Sequence, residues 1–302
     1  MVQLARRQLA LGANHAAVET LRQALSQDPE DAHAHAVLAL ALVAAKRLHG
    51  AAHEVRETLR LAPEETFSHH AAGVVYMAMR RLKLAEEHLD RAAALDPDEA
   101  EIKRALARLY ALTGREEKVL PTLEAAREAD PSDIDVWADI GEYHLQRRDL
   151  VRAEEMARAV LAESAEHQDG LVLMGRVMLR RGNVEEAQEH AHAALRHNSN
   201  DPGALRLLCE IKSRTSRTLG LWWRWAVWTG ALGERRTVLL LVGMYLAYRL
   251  AELAATDLGS PGLSMALSVT WLAFVAYTWV APALFQRMIR SELATVQLRP
   301  DF

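Results

Sequence analysis

The sequence predicts an all-α protein: an α-solenoid of about six helix-turn-helix units, followed by an interfacial helix and two membrane-crossing helices. Two observations carry this. Pro29, Pro63, Pro97 and Pro131 recur every 34 residues, each closing an Ala/Leu-rich stretch with helical spacing. A fixed period of about this length marks a repeat array, whose units must stack because none can bury its own apolar face. Two apolar runs follow, Thr237 to Ala255 and Leu263 to Phe285, each close to the roughly 20 residues a helix needs to span a bilayer.

Each repeat keeps its register. Twelve positions before each proline stand Ala17, Ala51, Ala85 and, less well matched, Val119; eight before stand Leu21, Val55, Leu89 and Leu123. Gly73 and Tyr76 recur one unit later as Ala107 and Tyr110. A small residue at a fixed place lets two helices approach closely, and a large one fills the groove beside it. The proline stops a second helix, because it lacks the N–H and disfavours a helical residue before it. Asp28, Asp96 and Asp130 suit the turn that follows.

At these residues the chain resembles the tetratricopeptide repeat family, over roughly residues 1 to 201. The resemblance implies a right-handed solenoid of paired helices. Two further units continue after Pro131, with Trp137, Ile140, Gly141, Tyr143 and Ala153 in the fifth and Leu171, Met174, Gly175 and Ala187 in the sixth. Ala165 and Ser199 replace their closing prolines, so Asp201 and Pro202 are expected to supply a delayed stop for the sixth. The first unit lacks room for an N-cap before its opening helix.

Charge divides the chain. Residues 1–210 hold 35 Asp/Glu and 26 Lys/Arg, whereas residues 211–302 hold 5 and 10. Two surroundings are implied. The expected organisation is an array with a capping helix (1–210), a basic, Trp-rich juxtamembrane segment (211–236), a transmembrane hairpin (237–285) and a short tail (286–302). Trp222, Trp223, Trp225 and Trp228, with Arg235 and Arg236, suit the headgroup region, where an amphipathic ring meets both apolar and wet surroundings. The alternative is a helix that buries these tryptophans against the last repeat. Basic residues flank both spans and are absent from the loop between them, so both termini and the repeats are expected on the cytoplasmic side. No secretory signal precedes the first repeat helix. The lone Cys209 agrees with a reducing compartment. Thirty-one arginines against five lysines, with abundant alanine, associate the chain with a bacterial inner membrane.

Within the first span Gly243, Ala247, Ala251 and Ala255 recur every fourth residue. Such a stripe admits another helix, most simply the second span, or else a second copy of the chain. Arg249 and Glu252, three apart, can pair or snorkel to the interface.

The resemblance implies that a ligand lies on the concave surface made by the first helices. The matching positions include Ala36, Leu40 and Val43; then Phe67, His70, Val74 and Met77; then Glu101, Arg104 and Arg108; then Asp135, Ala138 and Glu142; and last Asp169, Val172 and Arg176. The groove is expected to be apolar early and charged later, suiting a peptide of the same character. The family's carboxylate clamp needs a lysine and asparagines that these places lack, so capture of an acidic chaperone tail is not expected. No phosphate loop, nucleophile elbow, acid/base dyad or HExxH pattern is present, and the thirteen histidines show no zinc spacing. Catalysis, a metal and a cofactor are therefore not expected. An acidic array also repels phosphates, which argues against nucleic acid. The sequence thus leads to a membrane-anchored, non-enzymatic adaptor for a protein or peptide, with a self-assembling component of a larger membrane complex as the alternative.

Overall fold

The computed structural model describes residues 1–198, 201–215, 228–229 and 234–295. Among them are fifteen helices and no strand. Two compact units divide the chain, residues 1–204 and 205–300.

The first unit holds six helix pairs: α1 (Val2–Ala10) with α2 (Asn14–Gln27), α3 (Ala32–Ala44) with α4 (Leu48–Leu61), α5 (Thr66–Ala78) with α6 (Leu82–Leu95), α7 (Ala100–Leu112) with α8 (Glu116–Ala129), α9 (Ile134–Gln146) with α10 (Leu150–Glu163), and α11 (Gln168–Arg181) with α12 (Val184–His197). From α4 to α12 every helix starts 34 residues after its counterpart in the preceding pair, beyond the last periodic proline as well as before it.

One turn recurs six times inside the pairs. Gly12, Lys46, Arg80, Gly114, Arg148 and Gly182 all have left-handed φ, between 59° and 92°. The next residue's N–H then reaches back five positions, as in Arg47 to the Leu42 carbonyl at 2.7 Å and Asn183 to the Met178 carbonyl at 2.9 Å. This satisfies carbonyls that the helix end leaves open. Left-handed backbone is strained for a side chain and free for glycine. Arg80→Gly is therefore expected to stabilise the array by about 1 kcal/mol, read as a raised urea midpoint.

Between pairs, the residue before three of the four prolines is extended: Asp28, Asp96 and Asp130 have φ from −133° to −139°. Their carboxylates accept N–H bonds from Glu30, Asp98 and Ser132. Ser164 and Asn198 take the same conformation with no proline after them. The helix therefore stops by this backbone turn, and proline only reinforces it. The expected delayed stop at Asp201 and Pro202 is corrected accordingly: α12 ends on register at His197, and these two residues begin α13 (Pro202–Thr215). Asp201 Oδ1 accepts the Ala204 N–H at 2.6 Å, and Pro202 occupies the first turn, where its missing N–H costs nothing.

The small periodic residues lie at helix contacts. Ala17, Ala51, Ala85, Ala153 and Ala187 are fully buried, with Val119 nearly so. A Cβ on Gly141 would come 2.4 Å from Leu173 Cδ2 and 3.0 Å from Met156 Cβ. The latter is tied to the α10 backbone and cannot swing away, so Gly141→Ala is expected to cost about 1–3 kcal/mol, measured by thermal unfolding. First helices also pack on the next first helix, α3 on α5 and α9 on α11 among them, while the second helices form no such extensive row among the described residues. The odd-numbered helices consequently form the inner, concave layer of this unit.

In the second unit, α14 (Glu234–Asp257) and α15 (Pro261–Thr295) form a hairpin around Gly259, whose φ is +67°. The two packed helices bring Tyr248 onto Trp271, with ring centroids 5.0 Å apart and planes within 5°. α15 runs ten residues past the expected span boundary at 285, so the tail begins as helix. Trp228 is helical and half exposed. Trp222, Trp223 and Trp225 lie outside the described residues; Arg235 and Arg236 fall in the first turn of α14.

Candidate partner-binding site

The inner layer divides as its sequence suggests, but its charges are engaged. In the apolar part Leu40 and Val74 are half-buried, and Met77 packs partly onto the core beside Leu106 and Leu109. His70 is only 4% exposed, so it belongs to the packing of the inner layer rather than to its open surface; burial pushes its pKa down. Phe67 lies between His33, 4.8 Å away, and the Arg6 guanidinium, 5.3 Å from its ring centre. An arginine over an aromatic face is a favourable pairing.

The charged part is a network joining successive units. Arg104, 11% exposed at its side chain, donates from Nε to Asp139 at 2.9 Å and from Nη1 to Asp135 at 3.0 Å, with Asp133 at 3.5 Å. Arg108 reaches Asp139 at 3.3 Å, and Arg176 Nη1 contacts both Glu142 oxygens at 2.8 and 2.9 Å. His167 caps α11 by accepting the Gly170 N–H, while its Nε2 meets Asp135 at 2.9 Å. That bond from His167, aided by the Arg104 charge, pulls the Asp135 pKa down to about 2 against the cost of burial, and the same bond raises that of His167. Arg104, Arg108, Glu142 and Arg176 thus bind one unit to the next, and Arg104 has little surface left for a partner.

Two cavities open along this stretch. One, of about 100 Å³, lies among Arg108, Ala111, Val119, Asp139 and Tyr143. The other, about 250 Å³, lies between α9 and α11 and is lined by Ala138, Asp139, Glu142, Asp169, Val172, Leu173, Arg176 and Gly203. Asp169 is open to solvent at the mouth of this second cavity. Enough protein still surrounds it that burial raises its pKa, with repulsion from Asp135 adding to the effect.

Two histidines one period apart repeat a single device. His35 directs Nε2 at the Pro29 carbonyl, 3.1 Å away, and Nδ1 at Glu54, 2.7 Å away. His69 does the same with Pro63 at 2.9 Å, but its Nδ1 faces Nδ1 of His88 at 3.0 Å. Each ties the preceding turn to the second helix of its own unit. No group of three or more metal-type ligands occurs among the described residues. Burial raises the thiol pKa of the half-buried Cys209.

On the hairpin, Gly243, Ala247 and Ala251 are exposed, and nothing lies within 4 Å of a Cβ built on Gly243; only Ala255 is buried. The stripe therefore does not pack on the second span of its own chain, apart from its last residue. Arg249 and Glu252 pair at 2.5 Å, and Ser268 of α15 lies 3.4 Å from the other Glu252 oxygen.

Models of tetratricopeptide repeats match residues 2–66 and 76–138, and the middle tetratricopeptide-like domain of cilia and flagella-associated protein 70 matches residues 122–238. The array belongs to the tetratricopeptide repeat family. No curated protein sequence matches the chain. A tetratricopeptide repeat protein from Parabacteroides merdae is 18% identical, with 70% of this chain and 82% of that one covered and a TM-score of 0.58. A thermophilic tetratricopeptide repeat protein of Thermus thermophilus is 21% identical, covering 59% and 97%, at 0.55. The Cut9–Hcn1 hetero-tetramer of APC/C matches at 16% identity and 0.53 over 70% of this chain, which spans 42% of the matched one. Such identities establish the fold alone. Tetratricopeptide repeat proteins are in general scaffolds that bind protein or peptide partners, typically without catalysis.

One signal in the sequence anticipates the network. Glu142 and Arg176 are one period apart, so they occupy the same place on adjacent first helices. Opposite charges at that spacing face each other across the inner layer.

Proposed function

We propose that this protein is a membrane-anchored adaptor, whose repeats hold a protein or peptide partner in the inner groove while the hairpin fixes the complex to a bilayer, with the repeats and both termini cytoplasmic. The observation that carries the anchoring is the hairpin's surface. Leu239, Leu250, Val269 and Leu272 are each more than half exposed, and α14 and α15 are both long and apolar enough to cross a membrane. So large an exposed apolar surface marks a lipid or protein contact. The basic flanks favour the cytoplasmic orientation, and the residue usage favours a bacterial inner membrane. Anchoring raises the local concentration of a bound partner without any new contact. The open face at Gly243, Ala247 and Ala251 favours a second reading, in which copies associate within the membrane.

The test combines fractionation with cross-linking. The full chain is expected to stay in the membrane pellet through an alkaline carbonate wash. A photo-reactive residue at Val74 is expected to capture one discrete partner band that the same residue at Val151, 62% exposed on α10, does not. Release by carbonate would overturn the anchor, and identical bands from both positions would overturn the groove.

A further inference from the structure

The cavity between α9 and α11 has an uneven charge balance. Arg176 is held by both oxygens of Glu142, and Asp139 is occupied by Arg104 and Arg108, so these charges cancel among themselves. Asp169 is different: among the described residues no cation lies within ion-pair distance and no donor bonds it, and His167 attracts it only from farther away. Val172 and Leu173 supply an apolar wall beneath it. The volume of about 250 Å³ far exceeds the roughly 10–15 Å³ that a single water needs.

We propose that this cavity receives a lysine or arginine side chain of the bound partner, its methylenes on Val172 and Leu173 and its charged head on Asp169. This rests on the groove reading above and adds the partner's chemistry to it. The argument is charge complementarity: a basic side chain carries an apolar stem and a cationic tip in the order that this wall and this carboxylate present. A carboxylate in such a setting gains a charge-assisted bond from the incoming group. Repulsion from Asp135, Asp139 and Asp201 bears on Asp169, only partly offset by attraction to His167, and an incoming cation relieves it. First helices pack about 8–10 Å apart, so three steps separate α5 from α11 by roughly 27 Å. An extended peptide covers that distance in about eight residues. The partner segment accordingly carries apolar residues over Leu40 and Val74 and a basic residue about eight positions away.

The test uses the full chain in lipid nanodiscs and fluorescent 12-residue peptides. Each peptide has two leucines near one end and one arginine eight positions on, is made in both directions, and is paired with a twin whose arginine is replaced by neutral citrulline. The arginine peptide of one direction is expected to bind at least tenfold tighter than its twin. Asp169→Asn is expected to abolish that difference with little change in the melting temperature, because Asp169 makes no hydrogen bond or ion pair and its long-range attraction to His167 is opposed by the neighbouring aspartates. Val74→Asp is expected to weaken both peptides alike. Mild acidification should erode the arginine preference more than the citrulline twin's affinity, as Asp169, facing Asp135, His167, Asp139 and Asp201, takes up a proton at a higher pH than an ordinary carboxylate. Equal affinity of arginine and citrulline peptides would overturn the cation pocket and leave the groove standing. Discrimination that survives Asp169→Asn would overturn the role of Asp169. Absence of binding by every peptide would overturn the proposal, whereas binding indifferent to Val74→Asp would count against the groove itself.

Discussion

Replacing Arg104 with alanine is expected to lower the stability of the repeat array by about 3 kcal/mol, since removing one partner of a largely buried ionic cluster leaves the others uncompensated. For an array of this size that corresponds to a fall of roughly 6–12 °C in the melting temperature. The cause is geometric. Asp133, Asp135 and Asp139 converge on one guanidinium from α9 and the turn before it, and without it they face each other. Arg104→Lys should recover only part of the loss, because a lysine has a compact charge and cannot fork between Asp135 and Asp139. Arg104→Ala combined with Asp139→Asn should be more stable than Arg104→Ala alone, since one of the stranded charges is gone. Equal stability of the single and double variants would show that the cluster contributes packing and no electrostatics. The neighbouring Asp135–His167 bond has its own pH window. The depressed Asp135 pKa contributes stability that is present above 3.8 and lost as pH falls toward about 2. The raised His167 pKa contributes stability that is present below 6.5 and lost as pH rises through its folded value.

The same cluster shows how far the sequence could be read. The period gave six units and the buried face, though not the end of the sixth, because proline, small residues and large residues at matched places all report local backbone and packing. It overvalued proline. Asn198 and Ser164 end their helices in the same extended conformation without one, since the stop is a backbone property that several residues satisfy. The left-handed turn was harder to see: Gly12, Gly114 and Gly182 share that place with Lys46, Arg80 and Arg148, and no single residue type marks it. In the groove, Arg104 and Arg108 read as free charges because their partners are 31 and 35 residues away. Only the packing of α7 on α9 brings them together. That Asp169 alone makes no ion pair or hydrogen bond among these charges follows from that pairing and was not visible before it. For the hairpin, the sequence could place small residues on one stripe, but not say which helix covers it; the structure leaves Gly243, Ala247 and Ala251 open.

Acidification from pH 7.5 to 5.5 is expected to destabilise the third unit, and His88→Glu to reverse much of that loss. The Pro63 carbonyl can only accept, so His69 donates to it from Nε2 and presents a lone pair at Nδ1. Nδ1 of His88, 3.0 Å away, must then carry the proton between them. One proton satisfies the pair, since an N–H at both Nδ1 atoms would set two donors against each other. Burial, followed by the His69 charge, lowers the His88 pKa, with Glu87 opposing. A lowered histidine pKa contributes stability that is present above the unfolded value of 6.5 and lost as pH falls toward the folded one. His33, His70, His144 and His190 are shifted in the same direction, so the acid limb is shared, and the substitution isolates one part of it. The protein supplies the comparison itself: one period earlier, His35 meets Glu54 at 2.7 Å, where both ring nitrogens face acceptors and the imidazolium satisfies both. His88→Glu builds that pair in the third unit. A hydrogen bond to a charged group contributes about 1.5–3 kcal/mol, so the variant should gain on the wild type by about that much at pH 5.5 and by less at pH 7.5, in urea titrations followed by circular dichroism. A gain of the same size at both pH values would mean that glutamate merely packs better, and that the proton between His69 and His88 does not control the stability of this unit.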